Sequence, residues 1–208
     1  MARSTGTKNA DYDEKRRKII DALIPFVFTR EGAHASFRAM ADAAAVSPAT
    51  LRHYFDSREG TILALFESLH DVGEPHWEHI RSGFFELGTR DGLHAALSYM
   101  VRGWREFGVG NLHAFGLHAG LNDDRLGPAY LEELLDPTLA AFTSRIAALQ
   151  RRGELSTGDP RLAALMLVGP VFTALLHQIE LSGEAGHPLD WDTFLAEAVD
   201  RFYAAYKP

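Results

Sequence analysis

The 208 residues are 46% hydrophobic and 24% charged, and none is cysteine. That length suits one large globular domain or two smaller ones, and the lack of cysteine excludes a disulfide framework and thiolate chemistry. The net charge of −7 is uneven, with +2 over residues 1–60 and −9 over residues 61–208, as expected if an N-terminal module meets a polyanion.

Residues 1–12 are small and polar and read as a disordered tail without the apolar core of a secretory signal. Asp13 to Glu31 has the spacing of a helix, with Ile19, Leu23 and Val27 in one i, i+4 row and Ile20, Ile24 and Phe28 in the next. Pro25 should kink it or leave a carbonyl unpaired, and Gly32 is a plausible stop. Ser36 can cap a two-turn helix whose inner positions are Phe37, Met40, Ala41 and Ala44.

The stretch SPATLRHYF, Ser47–Phe55, has the marks of a deliberate helix start. Ser47 can accept from a free first-turn N–H, and Pro48 stands where a missing N–H costs nothing. Val46 and Leu51 have the spacing of a hydrophobic staple, and Leu51 and Phe55 share an inner face. Pro48, Ala49, Thr50, Arg52 and His53 fall on or near the outer face. Two short helices joined by a three- to four-residue turn, the second exposing polar residues, make a helix-turn-helix.

Ser57 can cap a connecting helix over 57–72, with Arg58 in its first turn. A cation there opposes the helix dipole, which suits contact with an outside anion. The remainder reads as helices over Pro75–Leu87, Asp91–Phe107, Leu112–Leu121, Pro128–Arg152, Pro160–Leu181 and Leu189–Tyr206, with no alternating strand pattern. The expected class is all-α. The uncharged run Leu162–Ile179 is long enough to raise the question of a membrane span. Gly169, Pro170, His177 and Gln178 interrupt it, so a buried or interfacial helix, no membrane partner and a cytoplasmic protein are expected.

Other clusters are weaker. His76 and His79 are spaced i, i+3, but a zinc site needs three or four ligands, so no metal is assigned. His113, His118, Asp123 and Asp124 match no hydrolase or metalloprotease spacing. An all-helical metal-dependent or acid–base enzyme using His113, His118 and Asp123 is the alternative reading. No catalytic residue and no cofactor is assigned. Trp77, Trp104, Phe107, Leu112, Phe115 and Phe172, with His118 and His177 as polar members, describe the wall of a largely apolar small-molecule site.

At SFRAMADAAAVSPATLRHYFDSREGTILALFE the chain resembles the TetR family of one-component transcription regulators. Val46, Ser47, Thr50, Leu51, Tyr54, Phe55, Ser57 and Glu59 match the family's usual run. Ala45 departs from its turn glycine, Arg52 from a tyrosine and Arg58 from a lysine. An alanine forced left-handed costs roughly 1 kcal/mol.

The resemblance implies a DNA-binding module over residues 13–56 and a ligand-binding and dimerisation domain over 57–208. Ser36, Ser47 and Arg58 would hold the DNA backbone, Pro48 and Ala49 would touch thymine methyls, and Thr50, His53 and Tyr54 would bond phosphates or base edges. Arg52 offers a guanine reader. It further implies repression of transcription at an inverted-repeat DNA operator, relieved by a small-molecule effector. The last two helices would form a homodimer interface through Leu165, Phe172, Leu176, Phe194, Ala198 and Phe202.

Overall fold

A computed structural model of the protein describes residues 5–208. Among them are ten α-helices and no strand: α1 (Thr5–Val27), α2 (Phe37–Ala43), α3 (Pro48–Phe55), α4 (Arg58–Ser82), α5 (Thr89–Glu106), α6 (Val109–Asn122), α7 (Leu126–Tyr130), α8 (Asp136–Arg151), α9 (Pro160–Leu175) and α10 (Trp191–Tyr206). The all-α expectation holds.

Besides shifts of a few residues at several helix ends, three features differ from the sequence reading. Residues 1–4 of the expected tail lie outside the described residues, and its residues 5–12 form the first turns of α1. Tyr12 anchors these turns, its ring 4.7 Å from that of Tyr54. The break expected before Pro75 is absent, and α4 continues through it to Ser82. One proline removes one backbone donor, whereas the same turns bury Trp77 and Ile80 and pair Arg81 with Glu74 and Glu78. Finally, a π-helical turn, Leu131–Leu135, precedes α8. Pro137 follows it and lacks the N–H that the Glu133 carbonyl would take in an α-helix.

The chain forms two compact units, residues 1–71 with 111–130, and residues 72–110 with 131–208. In the first, Leu23, Val27, Met40, Ala41, Leu51, Leu65 and Phe66 are buried. The ends of α6 and α7 in this unit pack closely because Gly120 and Gly127 face each other and Gly116 lies under the Tyr130 ring. Asn111 donates to the Phe28 carbonyl at 2.8 Å and so closes the C-terminal end of α1.

In the second unit Leu93, Leu97, Trp104, Phe142, Ile146, Leu167, Val171, Leu195 and Val199 form one core. The segment Pro160–Glu180 is long and apolar enough to cross a membrane, but Ala163, Ala164, Leu167, Val168, Val171 and Leu175 are buried against this core. Arg145 is buried in the same unit and donates to the Ile80 and Gly83 carbonyls at the end of α4. Its guanidinium carbon stands 4.5 Å from the centre of the Phe85 ring. A cation at a helix C-terminus is favourably placed.

The turn from α2 to α3 is a Schellman closure. Val46 N–H bonds the Ala41 carbonyl at 2.9 Å, and Ala45 N–H bonds that of Asp42 at 3.0 Å. The closure forces Ala45 to φ 53°, where a Cβ costs about 1–2 kcal/mol. Ala45→Gly removes that strain and adds back about 0.4–1 kcal/mol of unfolded-chain entropy. The expected net is a stabilisation of about 0.5–1 kcal/mol, read as a higher urea midpoint with an unchanged slope.

Candidate DNA-reading site and ligand-domain residues

α3 folds as its sequence directs. Ser47 Oγ accepts from the Thr50 N–H at 3.0 Å and lies 2.8 Å from Thr50 Oγ1. Leu51 and Phe55 are buried, while Pro48, Ala49, Arg52 and His53 are exposed and Thr50 and Tyr54 half-buried. Ser36 caps α2 in the same way, accepting from the Ala39 N–H at 3.1 Å. The helix therefore presents one continuous face of small, hydroxyl-bearing and basic side chains.

The two arginines are held differently. The Arg52 guanidinium carbon lies 5.7 Å from the Phe37 ring centre, and no side-chain hydrogen bond or ion pair of Arg52 occurs among the described residues. Arg58, the first residue of α4, donates through Nε to the Ala35 carbonyl at 3.2 Å. Its head group thus braces the start of α4 against the segment before α2. Between the two, Asp56 takes φ 66° and ψ −49°, with Ser57 N–H bonding the Phe55 carbonyl at 2.7 Å. That is a γ-turn of the rare positive-φ kind, and it reverses the chain in one residue.

Sequence reasoning missed the back of α3. Tyr12 packs on Tyr54 and on His53, 5.9 Å away edge to face, and Arg16 lies over Phe55 at 5.2 Å. The signal was available in the run of basic and aromatic residues before Ile19, but nothing in local spacing says which helix they face.

The expected ligand residues divide between the units. Leu112, Phe115 and His118 are in the first. Phe115 is fully buried 6.0 Å from Phe66, whereas His118 is exposed, its ring 5.6 Å from that of His34. Trp77, Trp104, Phe107, Phe172 and His177 are in the second. Trp104 donates Nε1 to Glu180 at 2.9 Å and meets Phe172 edge to face at 5.4 Å. Trp77 donates to Thr138 Oγ1 at 2.9 Å. Phe107 is 63% exposed and His177 also lies at the surface. These two leave the wall expected of them because Phe107 follows the last turn of α5 and His177 sits on the outer side of a π-helical turn, Leu176–Glu180. Glu180, which sequence reasoning passed over, is the polar neighbour of Trp104.

Of the expected interface residues, Leu165 is 45% exposed, and Phe172, Leu176, Phe194 and Ala198 are half-buried. Phe202 instead packs inward at 6% exposure, stacked on Tyr206 at 4.5 Å. Leu162 and Met166 are more exposed than Leu165, at 60% and 66%. An apolar groove runs between Met166 and Pro170 of α9 and Phe194, Ala198 and Ala205 of α10.

His113, His118 and Asp123 hold three separate structural positions. His113 Nδ1 is 2.8 Å from the Tyr130 hydroxyl in a buried pair. Asp123 Oδ1 accepts the Arg125 and Leu126 amides at the start of α7. The Arg125 amide leads in holding its carboxyl below the ordinary value. No group of three His, Asp or Glu suited to a metal occurs among the described residues.

Residues 108–208 match the family model for the C-terminal domain of AefR-like transcriptional repressors. That match covers the C-terminal 101 residues, and it agrees with the resemblance to the TetR family carried by the N-terminal helices. The chain's fold is that of several solved structures. A protein of Mesorhizobium loti assigned to the TetR family superposes with a TM-score of 0.71 at 21% identity, over 95% of this chain and 98% of that one. GusR of Salmonella enterica gives 0.65 at 20%, over 92% and 96%. FadR of Bacillus subtilis, solved in complex with stearoyl-CoA, gives 0.63 at 19%, over 90% and 97%. No curated protein sequence matches this one. The match and the fold together support a transcriptional regulator that binds ligands.

Burial pushes the His113 imidazole from its ordinary 6.5 down to about 4, and it raises the Tyr130 hydroxyl. The folded protein therefore holds His113 neutral where the unfolded chain takes up a proton. Stability is fully present above pH 6.5 and falls as pH drops toward 4, by about 3 kcal/mol in all. His113→Gln should remove that part of the slope in urea unfolding followed from pH 7 to 4.5.

Proposed function

We propose that this protein is a cytoplasmic, homodimeric repressor that reads an inverted-repeat operator in double-stranded DNA with α3 and leaves it when a small, largely apolar effector binds. The single observation that carries the reading is the face of α3. Its apolar side is fully used in packing, and its exposed side is complementary to a DNA groove. Pro48 and Ala49 suit thymine methyls, Ser36, Ser47, Thr50, His53 and Tyr54 suit phosphates and base edges, and Arg52 suits a guanine. Arg58 joins this surface through its two terminal nitrogens, since only its Nε is bonded to Ala35. Residues 13–56 then form the DNA-reading part, and residues 57–208 serve effector binding and dimerisation.

The exposed leucines and methionine of α9, with the groove beside α10, support a two-fold interface, because solvent-facing apolar side chains in such number mark an association surface. For the effector, the edge-to-face Trp104–Phe172 pair supplies an apolar wall and Glu180 a polar end. The acyl chain of the stearoyl-CoA bound by FadR of Bacillus subtilis is a precedent for an apolar group held by a protein of this fold. A ligand that binds the DNA-free conformer better shifts the population away from DNA.

Three outcomes test the reading. Selection from a random DNA pool should return an inverted repeat with half-sites about one helical turn, or a multiple of it, apart. Arg52→Ala should cost about 1–3 kcal/mol at one base per half-site, while Arg58→Ala weakens all sequences alike and lowers the salt slope by about one per subunit. Leu165→Glu with Met166→Glu should give a monomer in sedimentation at micromolar concentration. A dimer that survives both substitutions places the interface elsewhere.

A further inference from the structure

Arg52 stands where the family's usual run has a tyrosine, and an isolated arginine on an exposed helix face is a mobile reader. Its long side chain samples many rotamers in solution, and each must be given up when it docks on a base. In this chain the guanidinium is not isolated. It lies over the ring of Phe37, the half-buried first residue of α2, with its carbon 5.7 Å from the ring centre. Phe37 is the first residue of α2, directly after the Ser36 cap, so the ring is carried by the neighbouring helix and not by α3.

The chemistry of a guanidinium over an aromatic ring decides what this does. Contact with an aromatic ring uses the flat face of the group and leaves the five N–H donors in its edge open. Those edge donors are the ones that pair with the O6 and N7 acceptors of guanine in the major groove. Arg58 offers a contrast within the same module, because its Nε is already bonded to the Ala35 carbonyl. Arg52 has no such internal acceptor among the described residues. Its only described side-chain partner is a ring that orients it without occupying its donors.

We propose that Phe37 is a specificity-determining residue of the DNA-reading site that touches no base: it is a positioning residue for Arg52. The inference rests on the reading of α3 as the DNA-contacting helix. Phe37 restricts where the guanidinium lies, and the guanine preference of one position in each half-site depends on the ring as well as on the arginine.

The test uses the full-length protein and its selected operator, with all four bases at each half-site position. Four variants are compared: Arg52→Ala, Phe37→Leu, the double variant, and Phe37→Tyr. Arg52→Ala should abolish the guanine preference at one position. Phe37→Leu should lower the preference at that same position by roughly three- to fivefold, the size of an exposed cation–π contact, and leave other positions unchanged. Phe37→Tyr should keep the preference, and the double variant should equal Arg52→Ala, since coupled residues fail to add. Pentafluorophenylalanine at position 37 keeps the shape of the ring and inverts its charge distribution, so it should reproduce Phe37→Leu even if leucine disturbs the fold. The inference is overturned if Phe37→Leu and the fluorinated ring both leave the guanine preference intact, or weaken every position equally. It is also overturned, with DNA reading by α3 still standing, if the wild-type operator holds no base that depends on Arg52. If the wild-type protein selects no DNA sequence, the reading of α3 fails and the inference with it.

Discussion

An eight-residue helix has too few internal hydrogen bonds to persist in water, so α3 exists only through what its inner face buries. Leu51 and Phe55 are that face, at 0% and 6% exposure. Everything around them serves to keep the pair inside: the Schellman closure at Ala45–Val46 aims the helix, the Ser47 cap begins it, and the γ-turn at Asp56 ends it. The outer face can consist of residues chosen for a partner because none of them is needed to hold the helix. This separation leaves the outer face of one short element free for the proposed contact with DNA.

The strain in the module is concentrated at its turns. Ala45 and Asp56 both take positive φ, and they flank α3 on either side. Neither is glycine, so neither conformation is cheap. Each persists because the surrounding packing over-determines it: Met40, Ala41 and Leu51 are fully buried on one side, and Ile62 and Leu65 on the other. The cost is local and small beside the apolar area that the correct turn angle allows the helices to bury.

Much of this was legible in the sequence, and the reason is that capping and amphipathic spacing are local. Ser36, Ser47 with Pro48, Ser57 and the Leu51–Phe55 pair all stand as their spacing predicts. That Leu162–Ile179 would pack one side against a protein core was readable too, since its glycine, proline and polar residues argue against a lipid environment. What was not legible depends on which distant segment arrives. No window of sequence shows that Arg58 will meet the Ala35 carbonyl, that Tyr12 will lie on Tyr54, or that Glu180 will accept from Trp104. The continuity of α4 through Pro75 was misread because the penalty for proline is visible locally, whereas the burial of Trp77 and Ile80 that outweighs it is not. The exposure of Phe107 and His177 and the packing of Phe202 on Tyr206 were hidden likewise: residue type suits a wall or an interface, but position on the turn decides which way a side chain faces.

The first unit is assembled from two stretches of chain, residues 1–71 and 111–130, separated by nearly forty residues that belong to the second. A nascent chain leaving the ribosome has its three leading helices early but cannot complete the unit until α6 and α7 emerge. Asn111 meanwhile leaves the Phe28 carbonyl open, and Phe115 and Tyr130 are missing from beside Phe66. Domains tend to fold as units during synthesis, so this interleaving delays completion of the first unit until part of the second has been made. A gene fragment cut after α4 would carry every residue of the proposed reading face without the helices that finish the core behind it. Recombination that exchanges the N-terminal module between relatives is thereby constrained to carry α6 and α7 along, or to find partners that already fit them.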